Sequence, residues 1–119
     1  MIETPEFLTA AKKLLSEEER QEIVRIVGAD PTIGDLMQGT GGFRKFRIPL
    51  DANNKGKSGG ARVVYFFHDA TVPVFLITVY PKNEKDNLSK AERNALKVIS
   101  EKLVDTYREG VTANVQRLR

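Results

Sequence analysis

The stretch Gly39–Arg62, GTGGFRKFRIPLDANNKGKSGGAR, joins a glycine turn, a short alternating segment and a loop rich in glycine and lysine. In the alternating segment, the apolar residues Phe46 and Ile48 alternate with Lys45 and Arg47. This period of two is typical of a strand with one buried and one solvated face. The stretch therefore predicts a basic β-hairpin at the middle of the chain, and the remaining elements are expected to pack around it.

Charge is segregated along the chain. Residues 43–62 hold six Lys or Arg against the single anion Asp51, whereas residues 1–42 hold four Lys or Arg and eight Asp or Glu. Clustered cations of this kind are the electrostatic footprint of a phosphate-bearing partner, and nucleic acid is the first candidate. A solvated face that only keeps the protein in solution is the alternative interpretation.

Composition limits the possible chemistry. The 119 residues suffice for one domain with a real core, and the chain has no cysteine and one histidine, His68. A zinc site or a serine–histidine triad needs more partners than that, so we expect no metal and no cofactor, and His68 itself is expected at the surface. No signal peptide and no membrane-spanning run of about 20 apolar residues is recognisable, which predicts a cytoplasmic protein.

Two helices are predicted ahead of the basic stretch, after a short edge strand at residues 2 and 3. Thr4 is a suitable N-cap for the first helix, and Ser16 with Glu19 forms a capping box for the second. Gly28 and the Asp30-Pro31 pair are expected to end the second helix. No chemistry is expected from either helix.

Two strands and one helix are predicted after it. Residues 62–68 and 74–80 are β-branched and aromatic on both faces, which is typical of central strands, and Ser89 with Glu92 begins a helix that is expected to end at Gly110. The sequence thus predicts an α+β fold: a small antiparallel sheet of three to four strands with two N-terminal helices and one C-terminal helix.

The chain is expected to form a single domain over residues 1–110. The tail, residues 111–119, has weak periodicity, so it is expected either to be disordered or to order against a partner. If the first and third long strands flank the second, the basic loop around residues 55–57 and a second polar loop around residues 80–85 lie at the same end of the sheet.

The turn Gly39–Gly42 has two interpretations. Its bare backbone amides could cradle a phosphate, or the glycines could simply allow the chain to turn into the strand, which is the commoner case.

Clustered cations can cleave RNA without a metal, because the 2′-hydroxyl of the substrate is a tethered nucleophile. Arginine suits phosphate because its guanidinium binds two oxygens at once, and a lysine among other cations loses its proton more easily and can act as a base. By this chemistry Lys55, Lys57 and Arg62 are candidates for charge neutralisation and proton transfer, and the Tyr80 phenol is a candidate for stacking or proton transfer.

Three motifs together carry a resemblance over roughly residues 2–108. They are GTGGFRK (39–45), KGKSGGARVVY (55–65) and TVYPKNE (78–84). In these motifs and in its order of elements the chain resembles the RelE/HigB family of bacterial toxins from type II toxin–antitoxin systems, and the HigB-like branch in particular.

The resemblance implies a RelE-like fold and a ribosome-dependent endonuclease that cuts mRNA in the ribosomal A site, without a cofactor. Its partners would be a cognate antitoxin, mRNA and ribosomal RNA, and the free toxin is expected to be monomeric. The family's catalytic set corresponds to Lys55, Lys57 and Arg62, with Lys82 in the matching loop and Tyr80 beside it. The predicted RNA- or ribosome-binding residues are the cations Arg44, Lys45, Arg47, Lys85, Lys90 and Arg93.

The chain departs from better-known members at two places. Asn83 stands where they have an arginine, and the aromatic residue near the start of their final helix is replaced around Leu88 and Ser89. Tyr80 or Lys85 would then supply the missing acid or base.

Two other functions are compatible with these residues. ParE-type toxins share the fold and inhibit DNA gyrase, although the cluster of Lys55, Lys57 and Arg62 argues against that function. A non-catalytic RNA-binding or ribosome-binding module would use the same cations only to neutralise phosphates.

Overall fold

The computed structural model describes residues 1–50, 60–81 and 89–117, without the side chains of residues 111–117. In chain order the elements are β1 (Ile2–Glu3), α1 (Pro5–Leu14), α2 (Glu17–Ala29), β2 (Asp35–Leu36), β3 (Phe43–Ile48), β4 (Ala61–Phe66), β5 (Phe75–Pro81) and α3 (Lys90–Arg117). No helix in the described part of the chain is long and apolar enough to cross a membrane.

The sheet confirms the predicted α+β class, but it has five strands where three to four antiparallel strands were predicted, and one edge pairing is parallel. Its order is β1-β5-β4-β3-β2, with β3, β4 and β5 antiparallel to one another, β2 antiparallel to β3, and β1 parallel to β5. The three long strands were predicted, and so was the edge strand β1. The sequence analysis missed β2, because its two residues, Asp35 and Leu36, are too few to display a period.

Each face of the sheet carries its own apolar cluster. Helices α1 and α2 cover one face, where Phe7, Ile23 and Val27 pack against strand residues such as Val63 and Leu76. Helix α3 covers part of the other face, which we call the α3 face, and its cluster contains Phe43, Val64, Phe66, Val72, Phe75 and Val104. Because side chains alternate between faces along a strand, β4 contributes to both clusters.

The helix starts are those that the caps predict. Thr4 Oγ1 accepts a hydrogen bond from the Phe7 amide at 3.2 Å, and the Ser16–Glu19 box has both of its bonds, at 2.8 and 3.1 Å. The box of Ser89 and Glu92 is also complete. These bonds satisfy amides that the first turn of a helix leaves without an intrahelical partner.

One of the two predicted helix ends agrees with the structure and the other does not. Helix α2 ends at Ala29 with Asp30 as its C-cap, so it ends at the predicted Asp30-Pro31 pair, with Gly28 inside its last turn. The expected end of the last helix at Gly110 is wrong, because α3 continues to Arg117. A single glycine weakens a helix by about 1 kcal/mol relative to alanine but does not block its hydrogen bonds, and no proline follows.

A buried tyrosine ties the connector after α2 to the sheet. The Tyr65 hydroxyl accepts a hydrogen bond from the Gly34 amide at 2.9 Å and donates one to the Pro31 carbonyl at 2.7 Å, and the side chain is fully buried. Burial raises the pKa of the Tyr65 phenol. The hydroxyl therefore satisfies two backbone groups of a segment that has little secondary structure of its own.

We expect Tyr65→Phe to lower the free energy of unfolding by about 1–3 kcal/mol, because the buried Gly34 amide and the Pro31 carbonyl lose their partner. Urea denaturation at pH 7 measures the loss. Above about pH 10 the difference between the two proteins should narrow, because the wild-type tyrosine ionises more readily unfolded than folded and its stabilisation is lost as pH rises.

The matched control is Tyr107→Phe, since the Tyr107 hydroxyl makes no hydrogen bond to any described residue and its ring is only partly buried. Equal effects of the two substitutions would contradict a specific role for the Tyr65 hydroxyl.

The turn Gly39–Gly42 brings α3 onto the sheet. Gly39, Gly41 and Gly42 have φ values of 76°, 81° and 133°, which L side chains rarely adopt. A Cβ on Gly41 would also overlap the hydroxyl oxygen of Ser100, a residue of α3 that is 3% exposed. The glycines therefore allow both the turn and the close approach of the helix.

We expect Gly41→Ala to lower the free energy of unfolding by about 1–3 kcal/mol, from backbone strain and displacement of α3. Gly110→Ala is the opposite case, because Gly110 lies within α3 with open space around it, and it should raise stability by about 0.5–1 kcal/mol. Thermal unfolding of both variants checks the pair. A Gly41→Ala protein as stable as the wild type would show that α3 does not depend on this contact.

Candidate functional site

A row of polar side chains crosses the three central strands near one end of the sheet. Arg47 of β3 lies directly opposite Arg62 of β4, and Arg62 lies directly opposite Tyr80 of β5. Residues opposite each other across strands share a face, with Cβ atoms about 4.5–5.5 Å apart. We call Arg47, Arg62 and Tyr80 the arginine–tyrosine row.

The row belongs to the α3 face, where it borders the apolar cluster. Tyr80 packs against that cluster, and Val64, two residues from Arg62 on the same strand, is one of its members. Lys45, two residues before Arg47, points to the same face and is opposite Val64. Arg47 is exposed, whereas Lys45, Arg62 and Tyr80 are half-buried. Three cations and a phenol thus share one side of the sheet.

This arrangement favours an anion in contact with the row. The strand positions opposite Arg62 are occupied by Arg47 and Tyr80. Each guanidinium can donate paired hydrogen bonds to a phosphate, and a phosphate held between two guanidinium groups offsets the repulsion between their like charges. The partly buried position of Arg62 strengthens such a contact, because the solvent screens it less.

Arg44 does not join this group. Its position between Phe43 and Lys45 directs it to the opposite face, where its Nη1 donates to the Gly34 carbonyl at 2.9 Å and to the Thr32 carbonyl at 3.4 Å. The guanidinium therefore holds the connector between α2 and β2. The strand pattern separates Arg44 from Lys45 and Arg47, although the sequence analysis grouped all three as RNA-binding residues.

Lys90 and Arg93 lie in the first turns of α3 and are exposed. The stem of Arg93 passes close to the glycine turn, with its Cδ 3.9 Å from the point where a Cβ on Gly39 would lie. These two cations are therefore placed at the helix start, outside the cross-strand row.

The other predicted cations cannot be placed. Lys55 and Lys57 fall in residues 51–59, and Lys82 and Lys85 fall in residues 82–88; both segments are outside the described residues.

The strand ends that flank these segments do meet as predicted. Ile48 is opposite Ala61, and Ala61 is opposite Pro81. Both segments are therefore connected to the same end of the sheet, next to the arginine–tyrosine row.

The sequence analysis missed two features near this end. It assigned Arg47 to general RNA binding, whereas the register puts it beside Arg62; the alternation of β3 already indicated the face but not the partner. It also did not indicate a groove between α1 and β5. A groove of about 590 Å³ adjoins Tyr80, and Glu6, Thr9 and Lys13 of α1 line its other side. No pattern in the sequence indicates that groove, because it forms between distant segments.

Among the described residues, no group of three His, Asp or Glu side chains is placed to hold a metal ion. The ion pairs of Arg20 with Glu3 and Glu17, and of Arg25 with Glu22, lie at α2 and the neighbouring strand β1. Arg20 and Arg25 are thus engaged by carboxylates of their own region.

Comparison with known protein families gives one result that bears on this site. A family model described as the RelE toxin of the RelE/RelB toxin–antitoxin system matches residues 4–118 of the chain. The match covers every element from α1 to α3, including all three strands of the arginine–tyrosine row.

Proposed function

Because the chain belongs to the RelE family of toxins from RelE/RelB toxin–antitoxin systems, we propose that it acts as a ribosome-dependent endoribonuclease that cuts mRNA. Membership makes the chain the toxin of such a system and implies a cognate antitoxin as its partner. The proposal adds to this membership that the toxin cleaves RNA, that it acts on the ribosome and that its substrate is mRNA. The observation that carries it is the register that aligns Arg47, Arg62 and Tyr80 on one face of the sheet.

The proposed reaction is attack of a ribose 2′-hydroxyl on the adjacent phosphorus, with departure of the 5′-oxygen of the next nucleotide. The attacking oxygen loses a proton, the leaving oxygen gains one, and the phosphate passes through a more negatively charged transition state. The protein must therefore neutralise charge on the phosphoryl oxygens and transfer protons at both oxygens.

We assign charge neutralisation to Arg62, supported by Arg47 on the neighbouring strand. Arginine stays protonated throughout and can bind two phosphoryl oxygens with one planar group. Arg62 lies on the central strand, where both neighbours restrain its backbone, so it can hold a fixed position as charge develops. Lys45 lies two residues before Arg47 on the same face, and this position suits a contact with the phosphate of a neighbouring nucleotide.

We assign protonation of the leaving oxygen to Tyr80. A phenol is neutral at pH 7 and can give a proton to an alkoxide, and the position of Tyr80 opposite Arg62 suits that transfer. The proposed base is a lysine of the segment 51–59, Lys55 or Lys57, with Lys82 as a further contact to phosphate. A site of this kind depends on the ribosome to hold the RNA in line.

Arg62→Ala should lower the rate of mRNA cleavage by about 10²–10³-fold, because it removes the principal stabilisation of the transition-state charge. Primer extension on ribosome-bound message, in single-turnover form, measures the rate. Binding to the ribosome should weaken only severalfold, as expected for the loss of one phosphate contact.

The control for that experiment is Arg25→Ala, which removes an exposed arginine from α2, and it should cleave like the wild type. If Arg62→Ala lowers binding and cleavage by the same modest factor, the protein is an RNA-binding module without catalysis. If the wild type leaves translation intact in an extract but blocks supercoiling by gyrase, the proposed activity is wrong and the ParE-like function applies.

Tyr80→Phe should lower the single-turnover rate by about 10²-fold with little change in binding, because phenylalanine keeps the ring and loses the acidic proton. Tyr80→Ala, compared in the same assay, removes both. A Tyr80→Phe protein that cleaves normally, beside an inactive Tyr80→Ala protein, would assign the ring to base stacking and contradict the acid role.

A further inference from the structure

A second cavity lies on the α3 face at the opposite end of the sheet from the arginine–tyrosine row. It has a volume of about 340 Å³ and is enclosed by the glycine turn, the end of β4 and one flank of α3. Its chemically active lining consists of His68, Lys97, Glu101, Asp105 and Arg108, together with the backbone at Gly41. The proposed cleavage reaction uses none of these residues.

The four charged residues of α3 occupy one side of the helix. Lys97, Glu101, Asp105 and Arg108 follow one another at intervals of four, four and three residues, which places them in a single line. Two cations thus lie at the ends of the line and two carboxylates lie between them. A bare phosphate would meet repulsion from the carboxylates, so this line of charge suits a ligand that carries both an anion and hydrogen-bond donors.

A nucleotide is such a ligand. Its phosphate can contact Lys97 or Arg108, and the amino group of cytosine, or the amino and imino groups of guanine, can donate to Glu101 or Asp105. A carboxylate is a common acceptor for base amino groups, whereas a lysine or arginine end is a common phosphate contact.

The remaining wall offers an aromatic surface for the base. The His68 ring lies nearly parallel to the Phe66 ring, with an interplanar angle of 15° and centroids 6.4 Å apart, and its side chain is 36% exposed. Phe66 is fully buried, so the imidazole lies beside a fixed ring and is itself partly accessible. Unpaired bases of RNA bind to proteins by stacking on rings of this kind.

His68 and Arg108 are held on either side of one carboxylate. Asp69 Oδ2 lies 3.3 Å from His68 Nε2 and 3.9 Å from an Arg108 nitrogen. Hydrogen bonds from Thr71 lower the pKa of Asp69, and the charges of His68 and Arg108 contribute to the same shift. Asp69 therefore remains ionised and keeps the histidine and the arginine at the rim of the cavity.

The cavity is too far from the arginine–tyrosine row to receive an adjacent nucleotide of the cleaved strand. Arg62 and His68 are six residues apart on one extended segment, which is about 20 Å. Helix α3 also packs over Val64 and Phe66, between the two sites. A nucleotide in the cavity is therefore not a direct neighbour of the cleaved position.

We propose that this cavity binds one nucleotide of single-stranded RNA at a position several nucleotides or more from the cleaved bond. The base stacks on His68, and Glu101 and Asp105 accept hydrogen bonds from its N–H groups. Lys97 and Arg108 bind the phosphate of the nucleotide. The proposal rests on the proposed function only in taking RNA as the partner. It gives the toxin a second point of attachment to a ribonucleoprotein surface.

The test is a titration of the isotope-labelled full chain with 5′-CMP, 5′-GMP, 5′-UMP and, separately, inorganic phosphate, followed by NMR. CMP and GMP should shift the backbone signals of residues 97–108 and of His68 at lower concentration than UMP or phosphate does. Equal effects of phosphate and nucleotides would reduce the site to an anion contact and overturn the assignment of a nucleotide.

Variants locate the binding. Lys97→Ala should weaken CMP binding by about fivefold, as expected for one charge-assisted contact, whereas Lys102→Ala, on the flank of α3 that faces Ile2 and Phe75, should not change it. Equal effects of Lys97→Ala and Lys102→Ala would contradict the site.

His68→Phe should retain binding and His68→Ala should lose it, because only the former keeps a ring. If His68→Ala lowers the melting temperature but leaves CMP binding intact, His68 is structural and the proposal fails. Cleavage is not part of this readout, so an inactive but nucleotide-binding protein would refute the proposed function alone.

Discussion

The pairing of β3, β4 and β5 in a single antiparallel register is the constraint on which the rest of the structure depends. Because residues alternate between faces, one register decides at once which side chains enter the two apolar clusters and which meet across the strands. A shift by one residue would bury Arg62 against α1 and α2 and expose Val63. The apolar packing on both faces therefore fixes the position of the polar row.

Helix α3 divides the face that carries the chemistry. It covers the sheet around Phe66 and Phe75, whereas Arg47, Arg62 and Tyr80 lie toward the other end of the same face. Its approach depends on the glycine turn, where a side chain on Gly41 would collide with Ser100. These contacts directly support the alternative to a phosphate cradle, which is that the glycines make room for the helix.

The separation of charge in the sequence corresponds to a separation in space. The acidic residues of α2 form ion pairs with Arg20 and Arg25 on their own surface, and the basic residues of β3 and β4 lie on the sheet. A toxin of this family needs an antitoxin, and a basic patch of this kind gives an acidic partner an electrostatic reason to bind there.

The sequence by itself determined the helix starts, the three long strands and the face on which Lys45 and Arg47 lie, because caps and side-chain alternation are local properties of the backbone. It did not determine the end of α3, since a lone glycine can be tolerated inside a helix that packs well elsewhere. Nor did it separate Arg44, whose guanidinium bonds to carbonyls ten and twelve residues away. Only the tertiary structure decided that Arg47 is the neighbour of Arg62 and that His68 faces α3, because both contacts join segments that the chain itself keeps apart.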